Sequence, residues 1–406
     1  MVSERKGAWK LCQDLVRCPD ILKVFARDIR SVGVVGEERA CKLVYLIITT
    51  RLLDRMVSAA IKGPSSAGKS FVLESVISFF PSSACYILSA MSERALAYSE
   101  EPVSHRFLVI YEAAGMNSDV ASYLIRSLLS EGRIRYLTVE KTSEGLKAKL
   151  IEREGPTGLL ETTTLASLHN ENETRLFSIP VTDTKDQTSQ ILIALADEDR
   201  EDNVRMESWH AYQTWLESGD NSVTIPFSKA LATLTPPIAV RLRRDFGAFL
   251  ALIRAHAILH QASRERDSQG RIVADIEHDF AVVRELVADL VSEGVEATVS
   301  PTVRETVGAI GQLQETNEEG VSVAVLSRLL QLDKGSASRR ATLARDKGYV
   351  KNLEDRRGRP ARYVLADALP NDLDILPTVE ALIAKCCSVA DEVEGILAPL
   401  PPCTKS

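Results

Sequence analysis

The feature that most constrains this chain is the stretch GPSSAGKS at residues 63–70, which matches the pattern G-x-x-x-x-G-K-[ST] at every fixed position. In this pattern the glycines let backbone N–H groups turn inward around a phosphate, the lysine supplies a cation, and the hydroxyl ligates Mg²⁺. A strand pattern precedes it and a helix pattern follows it, which is the context that the motif requires. A glycine/serine turn without a ligand is the alternative. We therefore predict a nucleotide site formed by Gly63, Pro64, Ser65, Ser66, Ala67, Gly68, Lys69 and Ser70.

The first half of the chain alternates strand patterns with helix patterns, which is typical of an α/β protein with a parallel sheet. The third predicted strand, RFLVIYE at residues 106–112, is continuously apolar, as expected of a strand that is buried on both faces. The predicted strands cover residues 56–63, 84–90, 106–112, 157–164 and 174–181. Residues 133–154 alternate apolar and charged side chains on both sides of the polar turn TSEG, which predicts a β-hairpin inserted between them.

Past residue 183 the strand patterns stop, and residues 186–216 and 228–295 are predicted to be helical. Residues 302–365 form a further α+β pattern of two helices and two strands. We predict five segments along the chain: an N-terminal helical segment (1–36), a P-loop core (37–182), a helical lid (183–299), a basic domain (300–370) and a helical tail (371–406).

The third predicted strand ends in Tyr111 and Glu112, at the sheet edge where parallel sheets place their chemistry. P-loop enzymes use carboxylates at this point to hold the metal's water shell and to orient the attacking water. Glu112 is the candidate for both tasks, together with Ser70 as a Mg²⁺ ligand. Tyr111 stands where a second acid is expected. The alternative is that Glu112 only caps the helix that follows.

Hydrolysis of a triphosphate needs further polar groups near the γ-phosphate, where negative charge develops. Thr163 and Thr164 close the fourth strand, and Arg175 lies just before the fifth. A salt bridge from Arg175 to Glu171 or Glu173 is the alternative. Two arginines at the start of a helix in the predicted lid, Arg241 and Arg243, are further candidates for contact with the nucleotide.

The order of these parts resembles that of the AAA+ ATPases of the minichromosome maintenance (MCM) group. It is more similar to the MCM-like helicases and ATPases of bacterial mobile elements and prophages, on phrases such as YLIRSLLSEGRIRY and EREGPTGLLETTT. The resemblance covers about residues 37–365. It implies ATP hydrolysis with Mg²⁺, a homo-hexamer, and translocation on DNA. Tyr111 and an N-terminal segment without a large oligonucleotide-binding domain depart from the family pattern, so a partner protein in replication is a further expectation.

The resemblance places the hairpin in a central pore, where Lys141 and Lys147 would contact single-stranded DNA. A solvated hairpin with mixed charges is the alternative. Residues 321–363 carry eleven Lys/Arg against four Asp/Glu on a chain of net charge −7, and their helix, turn, helix, strand, turn, strand order is typical of a winged helix. The predicted duplex contacts are Ser338, Arg339, Arg345, Arg356, Arg357 and Arg359. Docking of a protein on this domain is the alternative.

Composition limits the remaining classes of protein. Seven scattered cysteines without a C-x-x-C pair, and an N-terminus without a signal-peptide apolar core, predict a cytoplasmic protein with reduced thiols. The most apolar run, residues 43–53, is too short to span a membrane. Two functions from different classes remain open: a DNA-dependent motor, or an ATP-switched initiator or regulator that binds DNA and hydrolyses slowly. A loader or remodeller that acts on protein partners is a third.

Overall fold

A computed structural model describes residues 2–89, 92, 94–111, 119–143, 145–164, 175–196, 204–239, 241–296, 299–314, 319–354, 356, 359–367, 369 and 375–396. The α-helices are α1 (Val2–Val16), α2 (Ile21–Val32), α3 (Glu38–Thr49), α4 (Lys69–Ile77), α5 (Ala95–Tyr98), α6 (Asp119–Glu131), α7 (Lys185–Ala196), α8 (Met206–Glu217), α9 (Ser228–Leu234), α10 (Leu242–Leu259), α11 (Ala281–Glu296), α12 (Pro301–Gln314), α13 (Val323–Leu329), α14 (Lys334–Asp346) and α15 (Val379–Ile396). The strands are β1 (Ala59–Lys62), β2 (Cys85–Leu88), β3 (Arg106–Ile110), β4 (Arg133–Thr142), β5 (Gly145–Glu154), β6 (Thr157–Thr163), β7 (Phe177–Pro180), β8 (Val223–Thr224), β9 (Ile272–Val273), β10 (Val321–Ser322), β11 (Val350–Asn352) and β12 (Arg362–Leu365).

A five-stranded sheet of order β2-β3-β6-β1-β7 lies at the centre of the first half of the chain. All neighbouring strands in it are parallel. The α/β class and the parallel sheet predicted from the apolar strand patterns are therefore confirmed. The long β4–β5 hairpin forms a separate two-stranded sheet, as its alternating pattern predicts.

The sheet is closely packed around β6, every residue of which is buried. Gly158 on β6 is paired with Phe107 on β3, and a Cβ at this glycine would come within 2.3 Å of the phenyl ring. Glycine is therefore required there for the two strands to approach. On one face of the sheet, Leu108 and Leu159 pack with Leu124 and Leu128 of α6 in a single apolar cluster.

The helical prediction for residues 186–216 and 228–295 is wrong in part. Strand β9 lies inside the second range, where it pairs in parallel with β8 of the intervening segment, and residues 260–271 between α10 and β9 form turns. Each of these strands is only two residues long, so neither is long enough to show an alternating pattern.

A π-helical turn (Ile276–Phe280) leads into α11 and holds a buried ionic network. Asp279 is fully buried and accepts hydrogen bonds from His256 Nδ1 at 2.7 Å and from Arg264 Nη2 at 2.7 Å. The backbone N–H of Asp275 donates to the same carboxylate at 2.8 Å. Burial alone would raise the pKa of Asp279, but the hydrogen bonds from His256 and Arg264 outweigh it and lower the pKa to about 2.

The chain divides into two compact units. The first contains residues 1–234, 244–287 and 378–406, and the second contains residues 235–243 and 288–377. The C-terminal helix α15 therefore belongs to the first unit, where it packs on α9 and on the π-helical turn and buries Leu382 completely.

The second unit combines α12, α13 and α14 with a small antiparallel sheet of order β10-β12-β11. Its core includes Val303, Ile310 and Tyr363 with three alanines of α14, namely Ala337, Ala341 and Ala344. No helix in the described part of the chain is long and apolar enough to cross a membrane.

Candidate nucleotide-binding site

The predicted phosphate loop lies between β1 and α4, at the carboxyl edge of the parallel sheet. Gly68 precedes the first residue of α4 with φ of +78°, a left-handed conformation that glycine adopts without strain. The next residue is Lys69, so the helix N-terminus with its unpaired N–H groups opens directly from the loop. Such a terminus favours anions.

Lys69 is buried and its ammonium group lies across the loop. The Nζ atom donates hydrogen bonds to the carbonyl oxygens of Gly63 at 3.0 Å and Pro64 at 2.5 Å. These two carbonyl oxygens, which carry only partial negative charge, thus hold the Lys69 ammonium group inside the loop. A phosphate oxygen with full negative charge is a stronger acceptor for the same group.

A cavity of about 530 Å³ adjoins the loop. This volume lies within the range of about 300–1,000 Å³ that is usual for small-molecule sites. On one side it is lined by the loop and the first turn of α4, and on the other by the end of β6. The lining residues are Ser65, Ser66, Gly68, Lys69, Ser70, Phe71, Thr162, Thr163 and Thr164.

The structure thus brings Thr163 and Thr164 to the loop, where the sequence places them. Thr163 pairs with Lys62 in the sheet, and its carbonyl oxygen accepts a hydrogen bond from the Gly63 N–H at 3.4 Å. The end of β6 therefore anchors the first residue of the loop. Thr162 also lines the cavity and is missing from the sequence prediction, although it belongs to the same TTT run.

Tyr111 follows β3, and its hydroxyl is buried near Glu74 with no hydrogen-bond partner in bonding geometry among the described residues. Burial raises the pKa of this phenol to about 12, and the nearby Glu74 carboxyl and Cys85 thiol act in the same direction. Tyr111 therefore remains a neutral phenol at physiological pH and does not replace a carboxylate. The predicted catalytic acid and metal ligand Glu112 lies outside the described residues.

A buried acid on β6, one residue before the TTT run, is missing from the sequence prediction. Glu161 pairs with Ala60 on β1 and Ile110 on β3, and among the described residues its Oε1 atom has no hydrogen-bond partner. Burial raises the pKa of this carboxyl to about 7, while the positive charge of Lys62 acts in the opposite direction. The signal in the sequence is one carboxylate inside the otherwise apolar run TGLLET.

The three predicted arginines lie in two different units. Arg175 lies just before β7, and its Nε atom donates to Ser130 Oγ at the end of α6 at 2.9 Å. The alternative partners Glu171 and Glu173 are outside the described residues. Arg241 and Arg243 belong to the second unit, and the Arg241 guanidinium lies beside Gly294 of α11, where a Cβ would come within 3.1 Å of Nε.

The predicted DNA-contacting residues of α14 lie on its exposed sides. Arg339 is exposed and donates to Ser336 Oγ at 3.0 Å, and Ser338 is half-buried. Arg345 is exposed and donates to the neighbouring Asp346 at 2.8 Å. By contrast, the Arg340 guanidinium is turned toward α12, where its Nη1 atom donates a hydrogen bond to Glu305 Oε2 at 2.6 Å.

Between β11 and β12, Arg356 and Arg359 are both exposed, and Arg359 lies 3.9 Å from Glu354. Arg357 lies outside the described residues. Exposed ion pairs of this kind contribute at most about 1 kcal/mol, so they do not prevent these side chains from contacting a phosphate.

The comparisons with known proteins give no match in sequence and distant likenesses among solved structures. No family model and no curated protein matches the chain. Among solved structures, a full-length MCM homolog from Methanopyrus kandleri is 13% identical with a TM-score of 0.47, over 68% of this chain and 60% of the other. The chain thus spans less than two thirds of that protein's length. The ORC1 protein of Aeropyrum pernix, solved in complex with DNA, is 15% identical with a TM-score of 0.26, over 88% of this chain and 94% of the other. Neither likeness is close enough to establish a function.

Proposed function

We propose that this chain is an ATPase that acts on DNA, with the cavity beside the phosphate loop as its ATP site. One observation carries the proposal. A complete G-x-x-x-x-G-K-S loop lies between a parallel strand and a helix N-terminus, and the TTT run of the neighbouring strand faces it across a cavity of suitable size. Each part has a task in the binding of a triphosphate.

The loop N–H groups and the N-terminus of α4 would hold the phosphates. The Lys69 ammonium would exchange the carbonyl oxygens of Gly63 and Pro64 for phosphate oxygens, because a charged acceptor forms the stronger hydrogen bond. The hydroxyl groups of Thr163 and Thr164 would orient the γ-phosphate or the attacking water. Glu112 would act as the base toward that water.

The oxygen donors near the loop fit Mg²⁺. The Ser70 hydroxyl lines the cavity, and Mg²⁺ keeps several water ligands beside phosphate oxygens, so a site without the second acid is still coordinated. Ser70 and Glu112 would hold the ion, which neutralises charge on the phosphates. The neutral phenol of Tyr111 adds no ligand charge, and this favours slow hydrolysis.

The DNA-binding role rests on the second unit. Its net charge of +7 over residues 321–363 stands out on a chain of net charge −7. The order of its helices and its antiparallel sheet support a winged helix, in which α14 would be the groove helix and the β11–β12 turn would contact the phosphates. Lys141 and Lys147 on the hairpin would contact a single strand.

The central experiment measures ATP turnover with and without single-stranded and duplex DNA. We expect Lys69→Ala to weaken the binding of a fluorescent ATP analogue by at least about tenfold, because a buried charge-assisted contact is lost. Lys23→Ala, on the exposed surface of α2, is the matched control and should bind as the wild type does. Equal binding by the two variants would contradict the assignment of the site.

ATP turnover, measured together with strand displacement and DNA binding, distinguishes a DNA motor from an ATP-switched DNA-binding protein. A motor of a mobile genetic element, similar to the MCM-like helicases, should show DNA-stimulated turnover and strand displacement. An initiator or regulator should bind DNA in an ATP-dependent way with slow turnover, and the neutral Tyr111 is the observation that favours it. Stimulated turnover without displacement would rule out the helicase and leave translocation.

Arg175 would act on the ATP of a neighbouring copy in a hexamer. In that case Arg175→Ala abolishes turnover and spares nucleotide binding. Mixing it with Glu112→Gln subunits then restores part of the activity, because some interfaces hold both intact residues. Mixtures without any activity would assign Arg175 to its own subunit's site or to a structural task.

DNA contact has its own test in the salt dependence of binding. Arg339→Ala and Arg356→Ala should each reduce the slope of log K against log salt by about 1, because each removes a phosphate contact. Arg340→Gln is the control, since that side chain is turned toward Glu305. Unchanged slopes for the first two variants would favour a protein partner for this unit.

A further inference from the structure

Helix α4, which follows the phosphate loop, carries a single acidic side chain. Its sequence is KSFVLESVI, and Glu74 lies four residues after Ser70, the predicted Mg²⁺ ligand. Residues four apart in an α-helix lie on the same face, so the Glu74 carboxylate lies one turn along α4 from the Ser70 hydroxyl. Glu74 is exposed, and none of the ion pairs among the residues that the structure describes involves it.

The end of β3 turns Tyr111 toward this carboxylate. Ile110, the residue before it, packs in one apolar cluster with Leu124 of α6. Because successive side chains of a strand alternate, Tyr111 is turned to the other face of the sheet. Thr162, which follows the partner of Ile110 on β6, is turned to the same face as Tyr111 and lines the cavity. The ends of β3 and β6 thus bring a phenol and a threonine hydroxyl to the side of the sheet where Glu74 lies.

The Tyr111 hydroxyl and the Glu74 carboxylate form an incomplete pair. The hydroxyl is buried, and among the described residues it has no hydrogen-bond partner in bonding geometry. After burial, the charge of Glu74 is the largest cause that raises the pKa of this phenol, so the two groups lie close together. A buried donor without an acceptor costs about 1–3 kcal/mol. A small shift of the exposed Glu74 side chain toward the phenol is therefore favourable.

An acid at this place is unfavourable for ATP unless a cation binds with it. The loop and the N-terminus of α4 attract phosphates, whereas a carboxylate one turn from Ser70 repels them. A divalent cation between the carboxylate and the phosphates makes both interactions attractive. Tyr111 stands where a second acid is expected, so β3 supplies one negative charge fewer toward the metal. Glu161 does not replace it, because its side chain lies on the face of Ile110, its partner in the register.

We propose that Glu74 is a positioning residue for the Mg²⁺ of the ATP site: its carboxylate accepts hydrogen bonds from water ligands of the ion, and the Tyr111 hydroxyl orients the carboxylate. Mg²⁺ keeps several of its waters in such sites, so a carboxylate too distant for direct ligation acts through them. The charge that β3 lacks is thus supplied by α4. The inference rests on the proposed ATP site and adds to it a residue that the sequence pattern does not indicate.

Binding of Mn²⁺, a paramagnetic substitute for Mg²⁺, to the full chain with a non-hydrolysable ATP analogue tests the proposal. The electron paramagnetic resonance signal of free Mn²⁺ gives the affinity without any turnover. Glu74→Gln should weaken Mn²⁺ binding by about tenfold, the lower end of the usual effect of losing an outer-shell carboxylate. Glu74→Asp, which keeps the charge, should recover part of the affinity. Glu207→Gln removes an exposed acid in the first turn of α8 and, as the matched control, should bind Mn²⁺ as the wild type does.

Two further measurements separate a role toward the metal from a structural role. In EDTA, Glu74→Gln should bind the analogue as tightly as the wild type or more tightly, because a charge that repels the phosphates is lost. Tyr111→Phe should weaken Mn²⁺ binding by about threefold, the effect of one hydrogen bond, and should have no further effect in the Glu74→Gln background. The circular dichroism should be the same in all variants.

Three results would overturn the proposal: unchanged Mn²⁺ affinity in Glu74→Gln, an equal loss of Mn²⁺ affinity in Glu207→Gln, or weaker binding of the analogue by Glu74→Gln in EDTA. The last would make Glu74 a structural residue of α4. Additive effects of Tyr111→Phe and Glu74→Gln would refute the part assigned to the phenol. A wild type that retains the analogue and Mn²⁺ leaves the proposed function intact in each of these cases, whereas a wild type that retains neither would refute the ATP site itself.

Discussion

Glu161 offers a test of the site that depends on neither DNA nor ATP. Its carboxyl is 3% exposed, and its pKa is raised to about 7 from the ordinary 4.5 because burial disfavours the charge. Above pH 7 the folded protein holds a buried carboxylate that the unfolded chain would hold in water. As the pH falls through 7 toward 4.5, the folded state takes up a proton before the unfolded state does. Stability therefore rises as the medium becomes more acidic over this window.

The size of the effect follows from the shift. Each unit of pKa corresponds to about 1.4 kcal/mol, so the ionised group destabilises the fold at pH 8 by about 3 kcal/mol. Glu161→Gln removes this titration. Relative to wild type, its free energy of unfolding should increase by about 2–3 kcal/mol between pH 5 and pH 8.

Urea unfolding followed by tryptophan fluorescence measures this change in the right part of the molecule, because Trp9, Trp209 and Trp215 all lie in the first unit with Glu161. Glu131→Gln, an exposed acid at the end of α6, is the control and should parallel the wild type at every pH. A constant difference between Glu161→Gln and wild type across this range would show that the carboxyl is not buried as described.

Four further substitutions test the packing. Gly158→Ala should destabilise the first unit by about 1–3 kcal/mol, because the added Cβ would clash with the ring of Phe107. Gly308→Ala, which has open space around it on α12, should instead stabilise the second unit by about 0.5–1 kcal/mol. Equal shifts of the melting temperature in the two variants would contradict this account. Asp279→Ala should cost about 3–5 kcal/mol, since it leaves the Arg264 charge without its buried partner, and a loss below 1 kcal/mol in chemical unfolding would disprove the network. Tyr111→Phe should leave stability unchanged or raise it by about 1 kcal/mol, because the buried hydroxyl that it removes has no hydrogen-bond partner in bonding geometry among the residues that the structure describes. A loss of more than about 1 kcal/mol would reveal a partner, such as the nearby Glu74 carboxyl.

The parts of the fold that the sequence predicts well are those with strong local patterns. The alternation of strand and helix patterns, with the continuously apolar run at residues 106–112, predicts the parallel sheet, and the loop GPSSAGKS predicts the phosphate site, because burial on both faces and glycine geometry are visible in the sequence. The alternation in residues 133–154 likewise predicts the hairpin. Strands of two residues, such as β8 and β9, carry no such period and were missed.

The candidate site is predicted less completely, because the positions of its side chains depend on tertiary packing. Thr162 and Glu161 are neighbours in sequence, yet Thr162 lines the cavity, whereas Glu161 is buried and its Oε1 atom has no hydrogen-bond partner in the described part of the chain. Their separation depends on which face of β6 is turned to α4, and a fully buried strand does not reveal this. The exposure of Leu137 and Val139 on the β4–β5 hairpin escaped prediction for the same reason, because alternation indicates two faces but does not indicate which of them the core covers.

Because α15 belongs to the first unit, the choice of truncation point matters in any experiment that separates the proposed ATP site from the proposed DNA-binding unit. Cutting the chain after residue 370, just beyond the basic region, would remove a helix that covers α9 and the π-helical turn. A shortened protein of that kind would lose activity through an exposed core, and the loss would be mistaken for a requirement for DNA contact. Excision of residues 297–377 with a short linker keeps α11 whole and leaves the terminal helix attached to the unit that it completes.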